Sequence, residues 1–262
     1  MNSTSRLTTA IDAARAAGRF LIDNLGKVRS IVDKGDGGKN VVTEIDRGSE
    51  EMIIAAVRAK FPDDEILAEE SGKGRPGASG FRWVIDPLDG TTNYTHAFGV
   101  FCVSIGIERD GKIVAGVIYD PNLDEMFTAE LGRGASLNGA PIRVSAIGTM
   151  KRSLMVTGFP YNISENPDHA VERFVGVLMK AQAVRRMGSA AIDLAYVACG
   201  RYEGFWEAGL HPWDTAAGII LVMEAGGTVT DFGGGPCSIY NTTIAASNGA
   251  VHRELLETIR IG

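Results

Sequence analysis

The chain has 262 residues, 45% of them hydrophobic, which is ample for one large domain or two smaller lobes around a sizeable core. A formal net charge of −6, a pI near 5.3 and the lack of any long Lys/Arg run argue against broad nucleic-acid binding and favour a small-molecule substrate. No segment approaches the ~18 uncharged apolar residues of a membrane span, the start of the chain lacks the apolar core of a signal peptide, and Cys102, Cys199 and Cys237 show no Cys-x-x-Cys spacing; a cytoplasmic protein with free thiols is expected.

In chain order, Leu7, Ile11, Ala14, Phe20, Leu21 and Leu25 recur with helical spacing, and Gly26 stands where that helix would stop. A glycine-rich polar loop follows, Val32 to Asn40, without the Gly-Lys-Ser/Thr ending of a P-loop or the acidic ladder of an EF-hand. It reads as a surface connection whose Lys34 can reach an anion if the loop closes. Ile45, Met52, Ile53, Ala56 and Val57 predict a second helix ending before Phe61-Pro62. Glu65 to Ala68 then reads as a short buried strand delivering Glu69-Glu70-Ser71. Adjacent carboxylates at a strand end point to opposite sides, so at most one faces a given site; a solvated acidic turn is the plainer alternative.

The stretch that organises the chain is Trp83-Val84-Ile85-Asp86-Pro87-Leu88-Asp89-Gly90-Thr91-Thr92-Asn93-Tyr94. A strand-like apolar run delivers Asp86 and Asp89, with Pro87 fixing the backbone between them. Two carboxylates held close in a partly buried site need a cation or a shared proton, and oxygen-only ligands suit a hard ion such as Mg²⁺. If a helix opens at Gly90, Thr91 and Thr92, its unpaired N–H groups and the hydroxyls favour an anion such as phosphate. Asp-Pro-Leu-Asp-Gly is also what an ordinary turn would use. The haloacid dehalogenase signature, Asp-x-Asp-x-Thr, fits less well, because here the second acid comes one position later.

Phe101 to Glu108 and Lys112 to Tyr119 form a predicted hairpin around Asp110-Gly111, and Met126 to Leu131 and Ala135 to Val144 continue a strand-rich region. The first half therefore reads as two helices against an antiparallel sheet. The second half alternates: strand Ser153 to Thr157, helix Ala170 to Ala181, strand Ala183 to Arg185, a small-residue helix from Gly188 through Ala198, and strand Tyr202 to Glu207. Helix Pro212 to Ala225, strand Thr243 to Ser247 and a last helix to Ile259 complete it. Trp213-Asp214-Thr215-Ala216-Ala217-Gly218 places a lone acid in the first turn of an apolar helix, where complementing the helix dipole is reason enough for it.

Taken together, Glu69-Glu70-Ser71, Asp86-Pro87-Leu88-Asp89-Gly90-Thr91-Thr92-Asn93 and Trp213-Asp214-Thr215-Ala216-Ala217-Gly218 resemble the inositol monophosphatase family in content and order, over the whole chain, with the bacterial branch most similar. The resemblance implies an α+β fold, a layered αβαβα sandwich, as a single domain of two lobes at roughly 1–145 and 146–262. It implies hydrolysis of a phosphate monoester by in-line attack of a metal-activated water. Glu69, Asp86 and the Leu88 carbonyl would bind one Mg²⁺; Asp86, Asp89 and Asp214 a second; and Glu69 a weaker third. Thr91 would orient the water with Glu69, and Asp46 would fix the threonine hydroxyl. Asp89, Gly90, Thr91, Thr92 and Asp214 would adjoin the phosphate and substrate, Gly188, Ala190 and Glu207 would meet a sugar or polyol, and Lys34 would be the basic residue of the mobile loop.

Further implications are inhibition by Li⁺ and a homodimer acting on a small phosphorylated polyol, with inositol 1-phosphate first. Fructose 1,6-bisphosphate, a nucleotide 3′-phosphate, NADP and histidinol phosphate are alternatives within the same fold, and binding to a transcription complex is the alternative outside enzymology. Ala68 departs from the glycine that family members often carry there. His96, His169, His211 and His252 are scattered without ligand spacing and read as structural or surface residues, His211 being the one beside a motif.

Overall fold

The computed structural model describes residues 3–35, 38, 40–74 and 77–261; of the positions read above, Met1, Asn2, Asp36, Gly37 and Lys39 lie outside the described residues. Helix α1 (Ser3–Asn24) leads into a ribbon of β1 (Ile31–Asp33) and β2 (Val41–Thr43), then helix α2 (Glu44–Lys60). Next come β3 (Glu65–Ala68), β4 (Gly72–Lys73), β5 (Phe81–Asp89), the short helix α3 (Thr91–Thr95) and β6 (Cys102–Arg109). After these, β7 (Lys112–Asp120), β8 (Glu125–Glu130), β9 (Gly134–Leu137) and β10 (Ala140–Pro141) complete an eight-stranded sheet ordered β10-β9-β8-β7-β6-β5-β3-β4. It is antiparallel except where β3 runs parallel to β5.

The rest of the chain supplies β11 (Leu154–Thr157), α4 (Ala170–Leu178), β12 (Ala183–Arg185), α5 (Ala190–Ala198) and β13 (Gly204–Ala208). It ends with α6 (Pro212–Glu224), β14 (Thr228–Thr230), β15 (Thr243–Ser247) and α7 (His252–Ile259). Its five-stranded sheet has the order β12-β11-β13-β15-β14.

Three cores define five layers. Helices α1 and α2 bury Leu21, Ile53 and Val57 against Trp83, Ile85 and Ile105 on one face of the large sheet. Helices α5 and α6 lie between the two sheets, where Leu194, Ile220 and Leu221 meet Val84 and Ile118 on one side and Phe205 and Ala246 on the other. Helices α4 and α7 cover the outer face of the small sheet through Val177 and Leu255 against Met155 and Trp206. This is the αβαβα sandwich expected. Each fully buried Leu or Ile contributes about 1.5–3 kcal/mol by leaving water.

The element boundaries correct the sequence reading in several places. The packed stripe of α1 is its alanines, Ala10, Ala13, Ala14 and Ala17 with Leu21, so that the helix lies close to the sheet, while Leu7, Ile11 and Phe20 are only partly covered. Met52 of α2 is exposed, because Ile45, Ile53 and Val57 already fill the inward face. The run from Ala135 to Val144 breaks at Asn138-Gly139, whose φ values of 50° and 81° make the hairpin turn that separates β9 from β10. Helix α4 stops at Leu178, short of Ala181.

Candidate active site

The end of β5 is shaped by one irregularity. In its pairing with β6, Asp86 faces Ser104 and Asp89 faces Cys102, so three steps along β5 match two along β6. This bulge undoes the alternation that would send acids three apart to opposite faces. Burial follows the shift: Trp83, Ile85 and Leu88 enter the core under α1 and α2, whereas Val84 enters the core under α5 and α6. Asp86 and Asp89 therefore share the α5/α6 face. Pro87 has no N–H to lose from the ladder, and the Leu88 N–H donates to Asp86 Oδ1 at 3.0 Å.

Glu69 follows β3, whose parallel pairing with β5 sets Ala68 beside Ile85; the Glu69 N–H donates to the Ile85 carbonyl at 3.1 Å. Contrary to the expectation for adjacent acids, Glu69 and Glu70 both meet the Lys34 ammonium, at 2.8 and 2.6 Å. The segment turns between β3 and β4 rather than running straight, so strand alternation does not apply. Glu50 of α2 holds the turn, its two oxygens accepting from the N–H groups of Glu70 and Ser71 at 2.9 Å each.

Asp214 arrives from the other half of the chain on the first turn of α6 and accepts from the His211 N–H at 2.7 Å. The His211 ring stacks on Trp213, and the Asp214 carboxylate, 3.7 Å from its Nδ1, raises its proton affinity. Helix α6 reaches this place because β6 and β7 present glycine beneath it: a Cβ at Gly106 would stand 2.6 Å from Ala216 Cβ, and one at Gly116 would stand 2.8 Å from Ile220. Asp89 is held from α5, accepting from Ser189 Oγ at 2.6 Å and from the Ala191 N–H at 2.7 Å.

These acids act on one another. Burial and then the charges of Glu69, Asp89 and Asp214 push the Asp86 carboxyl well above the usual range. Burial and Asp214 push Asp89 up to about 7. Glu69 also rises to about 7, through burial and Asp214, with Lys34 opposing. Such a group of oxygen donors fits a hard divalent cation, which would relieve the repulsion. Among the described residues no three His, Cys, Asp or Glu side chains are close enough to hold an ion as they stand. Glu69, Asp89 and Asp214 share a cavity, their charges act on Asp86 as well, and Lys34 supplies the positive charge at Glu69.

Beside them, Gly90 caps α3 with φ 97°, a conformation glycine adopts freely, and a Cβ there would stand 2.8 Å from the Val100 carbonyl. The Thr91 hydroxyl lies 2.9 Å from Asp46 Oδ1 and 3.1 Å from the Leu88 carbonyl. Asp46 also accepts from the Thr43 N–H and hydroxyl as the capping box of α2; burial raises its carboxyl against these hydrogen bonds. Asn93, the last polar residue of the central motif, donates to the carbonyls of Val100 and Met187, tying α3 to the segment that leads into α5.

All of this opens on one cavity of about 750 Å³, lined by Lys34, Glu69, Asp89, Gly90, Thr91, Thr92, Gly188, Ala190, Glu207 and Asp214 among others. Asp46, Asp86 and Leu88 stand behind that lining, each no more than 2% exposed. Glu207 is pushed up to about 8 by burial and Asp214, with Arg186 opposing. The sequence reading gave no role to Glu50, Ser189, Asn93, Arg186 or Asp193. Glu50 carries a legible signal, an acid on the face of α2 that also bears Asp46, Ile53 and Val57. The other four announce themselves only through contacts across the layers. His252 is structural, set between Ser247 and Thr230 at 3.0 Å each.

Comparison with known proteins gives concordant results. The profile of the inositol monophosphatase family matches residues 2–261. Inositol-1-monophosphatase of Synechocystis sp. is 44% identical over 97% of this chain and 88% of its own length. The Nus factor SuhB of Pseudomonas aeruginosa is 42% identical over 97% of this chain and 95% of its own length. The solved inositol monophosphatase from Anabaena (Nostoc) sp. superposes with a TM-score of 0.90 at 44% identity, covering 99% of this chain and 96% of that one.

Proposed function

The chain belongs to the inositol monophosphatase family and is a phosphomonoesterase, and on that premise we propose that it is a Mg²⁺-dependent hydrolase of inositol 1-phosphate. The observation that carries this reading is the placement of the Thr91–Asp46 hydrogen bond at the same cavity as Glu69, Asp89 and Asp214.

Glu69, Asp86 and the Leu88 carbonyl would hold one Mg²⁺, Asp86, Asp89 and Asp214 a second, and Glu69 a third and weaker one. When bound, the ions supply positive charge to the phosphoryl oxygens and ease deprotonation of water. The chain's own groups do the orienting. A hydroxyl has one proton, and between a carboxylate and a carbonyl it favours the charged acceptor, so Thr91 donates to Asp46. Its remaining lone pairs are then acceptors. A water that donates one proton to Thr91 Oγ1 and the other to Glu69 turns its lone pair toward phosphorus, in line with the departing ester oxygen. The first-turn N–H groups of α3 face the negative charge that spreads over the phosphoryl oxygens.

At the far side, the segment Gly188 to Ala190 and the buried Glu207 suit a compact polyol, whose hydroxyls donate to acids and accept from backbone N–H groups. The test is phosphate release across inositol 1-phosphate, fructose 1,6-bisphosphate, a nucleoside 3′-phosphate, NADP and histidinol phosphate, with and without Mg²⁺ and with added Li⁺. The reading expects Mg²⁺-dependent turnover fastest on inositol 1-phosphate and inhibited by Li⁺. Faster turnover of another member of the panel would move the substrate assignment to it.

The reading takes the chain as one domain, its lobes at roughly 1–145 and 146–262 joined through α5 and α6, which pack on both sheets. A homodimer is part of it, supported by Val171, Val175, Leu178 and Met179, exposed at helical spacing along and just beyond α4. The likeness to SuhB proteins named as Nus factors supports a second reading, a partner in a transcription complex. A pull-down and a phosphatase assay on one preparation distinguish the two.

A further inference from the structure

Asp193 has no place in the reaction described so far. It sits in the first part of α5, is 1% exposed and nevertheless lines the cavity. Its Oδ1 has no hydrogen-bonding partner among the described residues. Two structural explanations fail. The cap of α5 is Ser189, whose hydroxyl accepts from the Ile192 N–H, so Asp193 is not needed there. Nor does it form an ion pair among the described residues, although the charges acting on it are those of Glu207, Asp89 and Arg186. A buried carboxyl left without a donor destabilises a fold unless something arriving from outside satisfies it.

That donor must come through the cavity. Glu207 stands in the same wall, also buried, and is the acid already assigned to a substrate hydroxyl. Two carboxyls in one cavity lining, close enough that the charge of Glu207 acts on Asp193, offer acceptors for two hydroxyl groups at once. We infer that Asp193 is a specificity-determining residue that accepts a hydrogen bond from a second hydroxyl of the substrate's polyol, beyond the one read by Glu207. The inference rests on the polyol reading above and deepens it. A site with a buried acceptor discriminates strongly against a leaving group lacking the matching hydroxyl, because the acceptor is then left bare.

The experiment compares wild type, Asp193→Leu and Asp193→Asn on inositol 1-phosphate and on p-nitrophenyl phosphate, whose leaving group has no further hydroxyl. Leucine branches at Cγ as aspartate does and carries no polar atom, and the cavity that Asp193 lines can take up its larger methyl groups, so its variant should unfold at the wild-type temperature or above. The expected result for Asp193→Leu is a KM for inositol 1-phosphate raised at least tenfold, with kcat/KM for p-nitrophenyl phosphate within twofold of wild type. Asp193→Asn, which keeps one acceptor oxygen, should lie between them. Equal losses on both substrates, or no loss on either, would overturn the assignment of Asp193 while leaving the polyol reading intact. A wild type that hydrolyses p-nitrophenyl phosphate but not inositol 1-phosphate would overturn the polyol reading and this role with it.

Discussion

Gly106 and Gly116 are register partners on β6 and β7, and together they form the bare patch on which the first half of α6 rests. Asp214 owes its position to that patch, since any side chain there would lift the turn that carries it. Gly116→Val is therefore expected to cost about 1–3 kcal/mol in stability by overpacking and to lower turnover further than that loss explains. Urea unfolding with a kcat measurement under fully folded conditions checks both; unchanged turnover in a folded variant would separate Asp214 from this contact.

Asp89→Asn and Asp214→Asn should each reduce turnover by about a hundredfold or more, the scale of losing one charge aimed at a transition state. In the absence of divalent ions the Asp89 variant should be no less stable than wild type, because the carboxylate it removes is buried against its neighbours. Near-normal Mg²⁺-dependent rates in both would defeat the ligand assignment.

Divalent cations should stabilise the protein itself. A ligand that binds only the folded state at a hundred times its dissociation constant adds about 2.7 kcal/mol. The unfolding temperature should accordingly rise with Mg²⁺, fall with chelator, and respond less in Asp86→Asn. A midpoint indifferent to both additions would count against an ion site among these acids.

Thr91→Val keeps the shape and deletes the hydroxyl, so kcat should fall at least about tenfold with little change in KM, as expected when a group positions the attacking water rather than the substrate. Thr91→Ser should retain most of the rate. A large rise in KM with unchanged kcat would assign Thr91 to binding instead.

Asp64 gives the acid limb of stability a defined origin. Burial would raise its carboxyl, but hydrogen bonds from Arg6, at 2.6 and 2.7 Å, and from Ser79 and Trp83 outweigh burial and hold it below the ordinary value. A group lowered in the folded state contributes stability above its unfolded pKa of about 3.9 and loses that contribution as pH falls through the folded value. Asp64→Asn should lose about 3–5 kcal/mol at neutral pH and show a flatter stability profile below about pH 4. Chemical unfolding from pH 2 to 7 reads both.

The sequence alone determined the family and the phosphomonoesterase class of this protein, because the motifs that carry them are local constraints written locally. An apolar run ending in Asp86-Pro87-Leu88-Asp89-Gly90 states a strand, an interruption and a helix start, and the strands Glu65–Ala68, Ala183–Arg185 and Thr243–Ser247 end where their patterns end. What only the tertiary structure decided is which distant groups meet. The alternation rule could not foresee the bulge that turns Asp86 and Asp89 to one face, or the turn that lets Glu69 and Glu70 share Lys34. The hydroxyl of Ser189 on Asp89, the clasp of Glu50 and the bare oxygen of Asp193 depend on layers packed from residues a hundred or more positions apart in some cases and twenty in others. Such contacts arise because a fold must satisfy its buried polar groups across elements, and a linear pattern does not record which element will come to lie alongside.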